Sequence, residues 1–97
     1  MFKWLNSNGV ESDHGFIVQS IGRFEIEYRE GKRKVNVYVE RGMHDGKPCV
    51  IVMESGAFAR WDGGPPGGVN PLEKQQEMLK NFIEALEFQG LAVVVNR

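Results

Sequence analysis

The sequence predicts an α+β fold: a mainly antiparallel sheet of about five strands, with one long amphipathic helix packed on one face. Three observations carry this expectation. Between Phe16 and Glu40, apolar residues alternate with polar ones, which is the period of a half-buried strand. Between Pro71 and Gln89 they recur at helical spacing. Two further apolar runs, PCVIVM and LAVVVN, flank that helix; a strand–helix–strand unit of this kind favours a right-handed crossover between parallel strands. With 97 residues, 41% of them hydrophobic, the chain is expected to form a single domain over residues 1–97.

Each element has its own justification. MFKWL is too short to place, and NSNGVESDHG is polar and glycine-bearing without a period. Residues 1–15 are therefore expected as a loosely structured lead-in, with the sheet and helix core at 16–97. FIVQS is a short strand, turned by Ile21-Gly22. In RFEIEYRE, Phe24, Ile26 and Tyr28 share one face while Glu25, Glu27 and Arg29 share the other. EGKRK connects the hairpin, with Gly31 as the residue at positive φ. In KVNVYVE the alternation resumes, with Val35, Val37 and Val39 inward and Asn36 and Tyr38 outward, so this antiparallel pair has one wet face. RGMHDGK, punctuated by Gly42 and by Asp45-Gly46, is the next turn.

PCVIVME lacks alternation and starts on Pro48, where a missing N–H matters least. A continuous apolar run predicts a central strand covered on both faces. For the helix, Asn70 is the expected N-cap, Pro71 the first helical residue and Glu73 the partner in a capping box. Gly90 is the stop. At about 100° per residue, Leu72, Leu79, Phe82, Ile83 and Leu86 form one stripe, with Met78 beside it and Phe88 about opposite.

Composition excludes several functions. Twelve basic and thirteen acidic residues give a net charge near −1, without the basic excess of a general nucleic-acid binder. The charge is uneven: residues 29–48 carry six basic and three acidic side chains, while each flank is net −2. The run Lys32 to Lys34 reads as a solvated hairpin tip or as a contact for an acidic partner. No window approaches the ~18 apolar residues of a membrane span, and MFKWLNSNG has no signal-peptide pattern. The expected compartment is the cytoplasm. The lone Cys49 sits among apolar residues and reads as a core thiol. Asp13-His14 and His44-Asp45 have no metal-ligand spacing, and Ser20 and Ser55 have no histidine at a recognisable distance in sequence. No catalytic, cofactor-binding or metal site is expected, and the chain does not read as an enzyme.

The segment Ser55 to Asn70 stands out. Its sixteen residues exceed the usual length of a structureless connection, and such loops are often functional. RWDGGPPGGVNP lacks the lysine of a phosphate-binding loop, and its prolines remove backbone donors. It carries Phe58, Arg60, Trp61, Asp62, Pro65 and Pro66 instead. Tryptophan and arginine are enriched at binding hot spots. At least one of Phe58 and Trp61 is expected to close the core, leaving a stiff loop. That loop is the first candidate contact surface, and the Glu25/Glu27 sheet face is the second.

The hairpin RFEIEYREGKRKVNVYVE, the strand VIVMES, the tryptophan–proline loop ARWDGGPPGGVNP, the helix LEKQQEMLKNFIEALE and the strand LAVVVN together span Arg23 to Asn96. In this order they resemble a family of small bacterial immunity proteins of polymorphic toxin systems, the immunity protein seventy-four family. The resemblance implies a non-enzymatic inhibitor that binds the toxin domain of a neighbouring cell's effector, as in contact-dependent inhibition. Many inhibitors of nuclease toxins are strongly acidic and this chain is only weakly so, which leaves Glu73, Glu77, Glu84 and Glu87 as the acidic cluster it could offer. The alternatives are a self-associating scaffold, with the apolar strands or Phe88 at a homodimer interface, a binding module for another partner, and a small metal-dependent enzyme built from His14, His44 and nearby acids.

Overall fold

The computed structural model describes residues 1–53, 56–65 and 67–95. Its strands are β1 (Phe2–Asn6), β2 (Gly9–Ser12), β3 (Phe16–Ser20), β4 (Glu25–Glu30), β5 (Arg33–His44), β6 (Lys47–Val52) and β7 (Ala92–Val95), and its helix is α1 (Leu72–Phe88). The seven described strands lie in chain order in one sheet. All neighbours are antiparallel except β6 and β7, which α1 joins as a parallel pair. The α+β class and the single helix on a mostly antiparallel sheet agree with the sequence expectation. No helix among the described residues is long and apolar enough to cross a membrane.

The two strands beyond the expected five come from residues 1–15. Instead of a loose lead-in, this segment forms a hairpin that continues the sheet. Its polar residues hide the alternation, but Val10 and Ser12 are buried. A β-carbon on Gly9 would lie 2.3 Å from the Gln19 β-carbon, so glycine alone permits β2 to sit this close to β3. Phe2 packs edge-on against Phe16 with centroids 5.7 Å apart, and Phe88 packs against both Phe2 and Trp4.

The core follows the alternation. Ile26, Tyr28, Val35, Val37, Val39, Val50 and Val52 are buried against Met78, Phe82, Ala85 and Leu86 of the helix. Phe24 departs from it: it lies before β4, stays half-exposed and stacks on Tyr38. Leu72, expected on the buried stripe, is exposed because the first helical turn overhangs a small groove rather than the sheet. On β6, Cys49 is buried, and its register with Ala92 places it, with Ile51, on the face away from the helix. Ile51 is only half-buried there.

Two turn assignments change. Arg41 to His44 continue β5, and only Asp45 (φ 52°) and Gly46 (φ 75°) turn the chain. That is the two-residue hairpin with both central residues left-handed, which Asp-Gly suits. At the helix start, Pro71 occupies the cap position without a side-chain hydrogen bond, because Asn70 is used elsewhere. The C-terminus behaves as expected. Gly90 (φ 87°) donates to the Glu87 carbonyl and Leu91 to that of Leu86, both at 3.0 Å, which satisfies the last carbonyls in a Schellman arrangement.

Gly9→Ala is expected to destabilise the domain by about 1–3 kcal/mol through overpacking. Gly22→Ala, where a β-carbon meets open space, serves as the control. Urea unfolding of the two variants measures the difference, and equal midpoints would refute the close-approach account.

Candidate functional site

The site begins with a shortfall in strand pairing. β5 is twelve residues long. It pairs with β4 through Arg33–Tyr38 and with β6 through Val39–His44. Among the described residues no strand lies beside the outer edge of its first half, and unpaired backbone groups there would be unfavourable. Asp62 takes the place of a strand. Its N–H donates to the Lys34 carbonyl at 2.8 Å, and its Oδ2 accepts the Asn36 N–H at 3.1 Å.

The rest of the loop is fixed by its own hydrogen bonds. Gly64 N–H donates to the Trp61 carbonyl (3.2 Å) and Gly68 N–H to that of Pro65 (3.0 Å). Each four-residue turn has glycine third, at positive φ: Gly63 at 72° and Gly67 at 79°. The doubled glycines are thus two successive turns. Asn70 closes the loop by donating its N–H to the Ala59 carbonyl (2.7 Å) and its Nδ2 to the Phe58 carbonyl (3.0 Å). Gln75 of α1 donates to the Asn70 carbonyl at 2.8 Å, which ties the loop to the helix.

The two loop aromatics take different places. Phe58 is buried and meets Tyr28 and Phe82 edge-on, at 5.7 and 5.4 Å. Trp61 is half-buried and stacks on Tyr28 at 6.3 Å with planes 23° apart. The Arg33 guanidinium lies 4.8 Å from the Trp61 ring centroid, a cation–π distance. Arg60, Asp62 and Pro65 are exposed on the loop, while Pro66, Ser55 and Asn96 lie outside the described residues. Asn36 connects the loop to the second candidate surface, donating its Nδ2 to Glu25 at 3.4 Å.

Glu25 is exposed, but Glu27 is not the solvated residue that a wet face implies: its exposure is 5%. Arg29 (3.2 Å), Gln19 (3.0 Å) and Lys34 (3.9 Å) surround its carboxylate. Burial opposes its charge, yet the hydrogen bonds from Arg29 and Gln19, with the charges of Arg29 and Lys34, hold its carboxyl below the ordinary range. Arg33 belongs to the basic run Lys32 to Lys34 that the sequence already offers as a contact, but its place over Trp61, and that of Tyr28 beneath it, are not legible there.

Beneath the loop lies a second polar group. The Tyr28 hydroxyl donates to Glu30 and accepts from Asn81 Nδ2 at 3.1 Å. Lys74 of α1 reaches both Glu30 oxygens at 2.8 and 3.1 Å, and Glu77 at 3.4 Å. Burial, reinforced by Glu30, drives the Tyr28 hydroxyl well above the ordinary tyrosine range. Burial also opposes the Glu30 charge, but donation from Lys74 and Tyr28 outweighs it and lowers the carboxyl. The Lys74 ammonium is raised correspondingly, Glu30 overcoming its desolvation.

His14 and His44 are exposed, each within 4 Å of the neighbouring aspartate, at 3.7 and 3.5 Å. The structure does not gather them: among the described residues, no group of three or more His, Cys, Asp or Glu is placed to hold a metal ion.

The Glu30 carboxyl, lowered from 4.5, contributes stability that is fully present above that value and is lost as pH falls through its folded-state pKa. Lys74→Met is therefore expected to destabilise by about 1–3 kcal/mol at neutral pH, and by less once pH is taken below 4.5. Urea unfolding across that range measures both values, and a pH-independent loss would refute the charge-assisted pairing. Comparison with protein-family models, curated proteins and solved structures found no match to this chain.

Proposed function

We propose that this chain is a non-enzymatic binding protein of the immunity type, which neutralises a cognate secreted toxin domain. The observation that supports this reading best is the loop at 56–71. It is long, yet it is hydrogen-bonded to β5, to α1 and to itself. A connection serving only to span the gap to the helix has no need of two glycine turns and a tryptophan. A pre-shaped loop loses little conformational entropy when a partner binds. It presents Arg60, Asp62, Pro65 and Val69 to solvent beside the half-buried Trp61, with Leu72 of α1 exposed next to it. The sequence resemblance to immunity proteins supplies the class of partner, and a cytoplasmic location would follow from that role.

A second reading, self-association as a homodimer, has one observation in its favour. β7 is the last strand of the sheet, and its residues Ala92–Val95 are all apolar. The opposite edge differs: β1 carries Lys3, paired with Glu11, and a register irregularity between Trp4 and Asn6. Charges and bulges of that kind discourage edge pairing.

Calorimetry with the toxin-like C-terminal domain of a secreted protein encoded beside this chain tests the leading reading. The double variant Arg60→Ala/Val69→Asp is expected to bind at least ~10-fold more weakly, a loss of ~1.4 kcal/mol, with an unaltered unfolding curve. Unchanged affinity removes the loop from the interface. A chain that binds none of the toxin domains encoded beside it removes the immunity reading, and a concentration-dependent dimer in sedimentation then favours the second.

A further inference from the structure

We infer that Arg33, held over the ring of Trp61, is where the loop surface receives a carboxylate from an acidic partner protein. The inference rests on the loop being the contact surface of a binding protein, and it names the chemistry which that surface recognises.

Trp61 is poorly placed to be the contact itself. Its indole stacks on Tyr28 and also lies under the Arg33 guanidinium. What the stack presents outward is therefore the cation. Contact with the ring uses none of the N–H donors of Arg33 in a hydrogen bond among the described residues, which leaves them for a bidentate acceptor. Stacking also restricts a side chain that is otherwise rich in rotamers, so less entropy is lost when it pairs.

The neighbouring charges leave Arg33 this role. Arg29 and Lys34 are engaged with Glu27, and Lys74 with Glu30. Glu30 faces Arg33 across the hairpin and its carboxyl is lowered in part by the Arg33 charge, but Lys74 reaches both of its oxygens and the Tyr28 hydroxyl donates to one, so its direct contacts are with those two. Arg33 is exposed, and its side chain makes neither an ion pair within 4 Å nor a hydrogen bond among the described residues. Lys32 precedes it at the exposed tip, and Arg60 precedes Trp61 on the loop, also exposed. Asp62, beside Trp61 on the loop, accepts the Asn36 N–H at its Oδ2. This end of the molecule thus carries the positive excess of residues 29–48 on an otherwise acidic chain. Three cations are too few to follow a nucleic-acid backbone, where binding draws on many phosphate contacts. They suit an acidic patch on a protein.

A hexaglutamate peptide is the probe. Its binding is followed through the Arg33 Nε–Hε resonance and through Trp61 fluorescence in a Trp4→Phe background. Saturable binding is expected, weakened at least tenfold by Arg33→Gln and nearly as much by Arg33→Lys, and weakened by added salt. If Arg33→Gln fails to fold, the salt dependence and the Arg33 resonance of the unaltered protein decide. Absence of peptide binding, or binding that Arg33→Gln leaves intact, overturns the inference, as does tighter binding of an oligonucleotide of equal charge. A toxin domain that binds Arg33→Glu as tightly as the unaltered chain also overturns it, while leaving the immunity reading in place. If no toxin domain binds, that reading fails and the peptide titration still decides the role of Arg33.

Discussion

The ring of Tyr28 is the contact on which the separate parts of this molecule depend. Phe16 stacks on it at 5.7 Å, Trp61 at 6.3 Å, and Phe58 meets it edge-on. The row continues from Phe16 to Phe2 and then to Phe88. One line of aromatic rings thus joins the N-terminal hairpin, the end of the helix, the centre of the sheet and the loop. Each such pair adds roughly 0.5–1.5 kcal/mol beyond the area it buries. A tyrosine in this position also has to satisfy its hydroxyl, and Glu30 and Asn81 do so. A phenylalanine would stack equally well but would leave Asn81 and the Glu30–Lys74 pair without their common partner.

The loop and the fold are consequently one problem. The described pairing of β6 with β5 runs from His44 to Val39, and Asp62 bonds to Lys34 and Asn36 in the other half of β5. Trp61, next to that aspartate, is thereby laid on Tyr28, and Arg33 is laid on Trp61. The exposed features of the loop are set by groups that also hold the domain together. Substitutions at Trp61 would mix stability with binding, whereas Arg60 and Arg33 lie outside the hydrogen-bonded frame and separate the two.

The sheet has a helix on only one face, and its other face is managed by pairing. Glu27 is buried there among Arg29, Gln19 and Lys34 rather than presented to solvent. Long side chains lying across a sheet face cover it with their own methylene groups, so a charged residue is buried without a second layer of secondary structure. Glu25, one alternation earlier, has among the described residues a single long contact, to Asn36, and remains exposed.

Local pattern determined a good deal. The alternation of Ile26, Tyr28, Val35, Val37 and Val39, the helix with Gly90 at its end, and the turn at Gly31 are dictated by side-chain period and by backbone conformations that glycine alone adopts easily. These belong to residues close together in the chain, and each was legible from the sequence. The hairpin at 1–15 was not, because its strands are stabilised by a neighbour's backbone and by glycine at a close approach, neither of which leaves a periodic signature. The burial of Glu27 was hidden because a glutamate beside three suitable partners and a solvated one look alike in a strand. Asn70 is a good N-cap in isolation, but the tertiary structure gives its side chain to Phe58. Tertiary structure alone decided that Arg33 meets Trp61 across twenty-eight positions of chain. That contact depends on Asp62 pairing with Lys34 and Asn36 of β5, a long-range pairing that no local window contains.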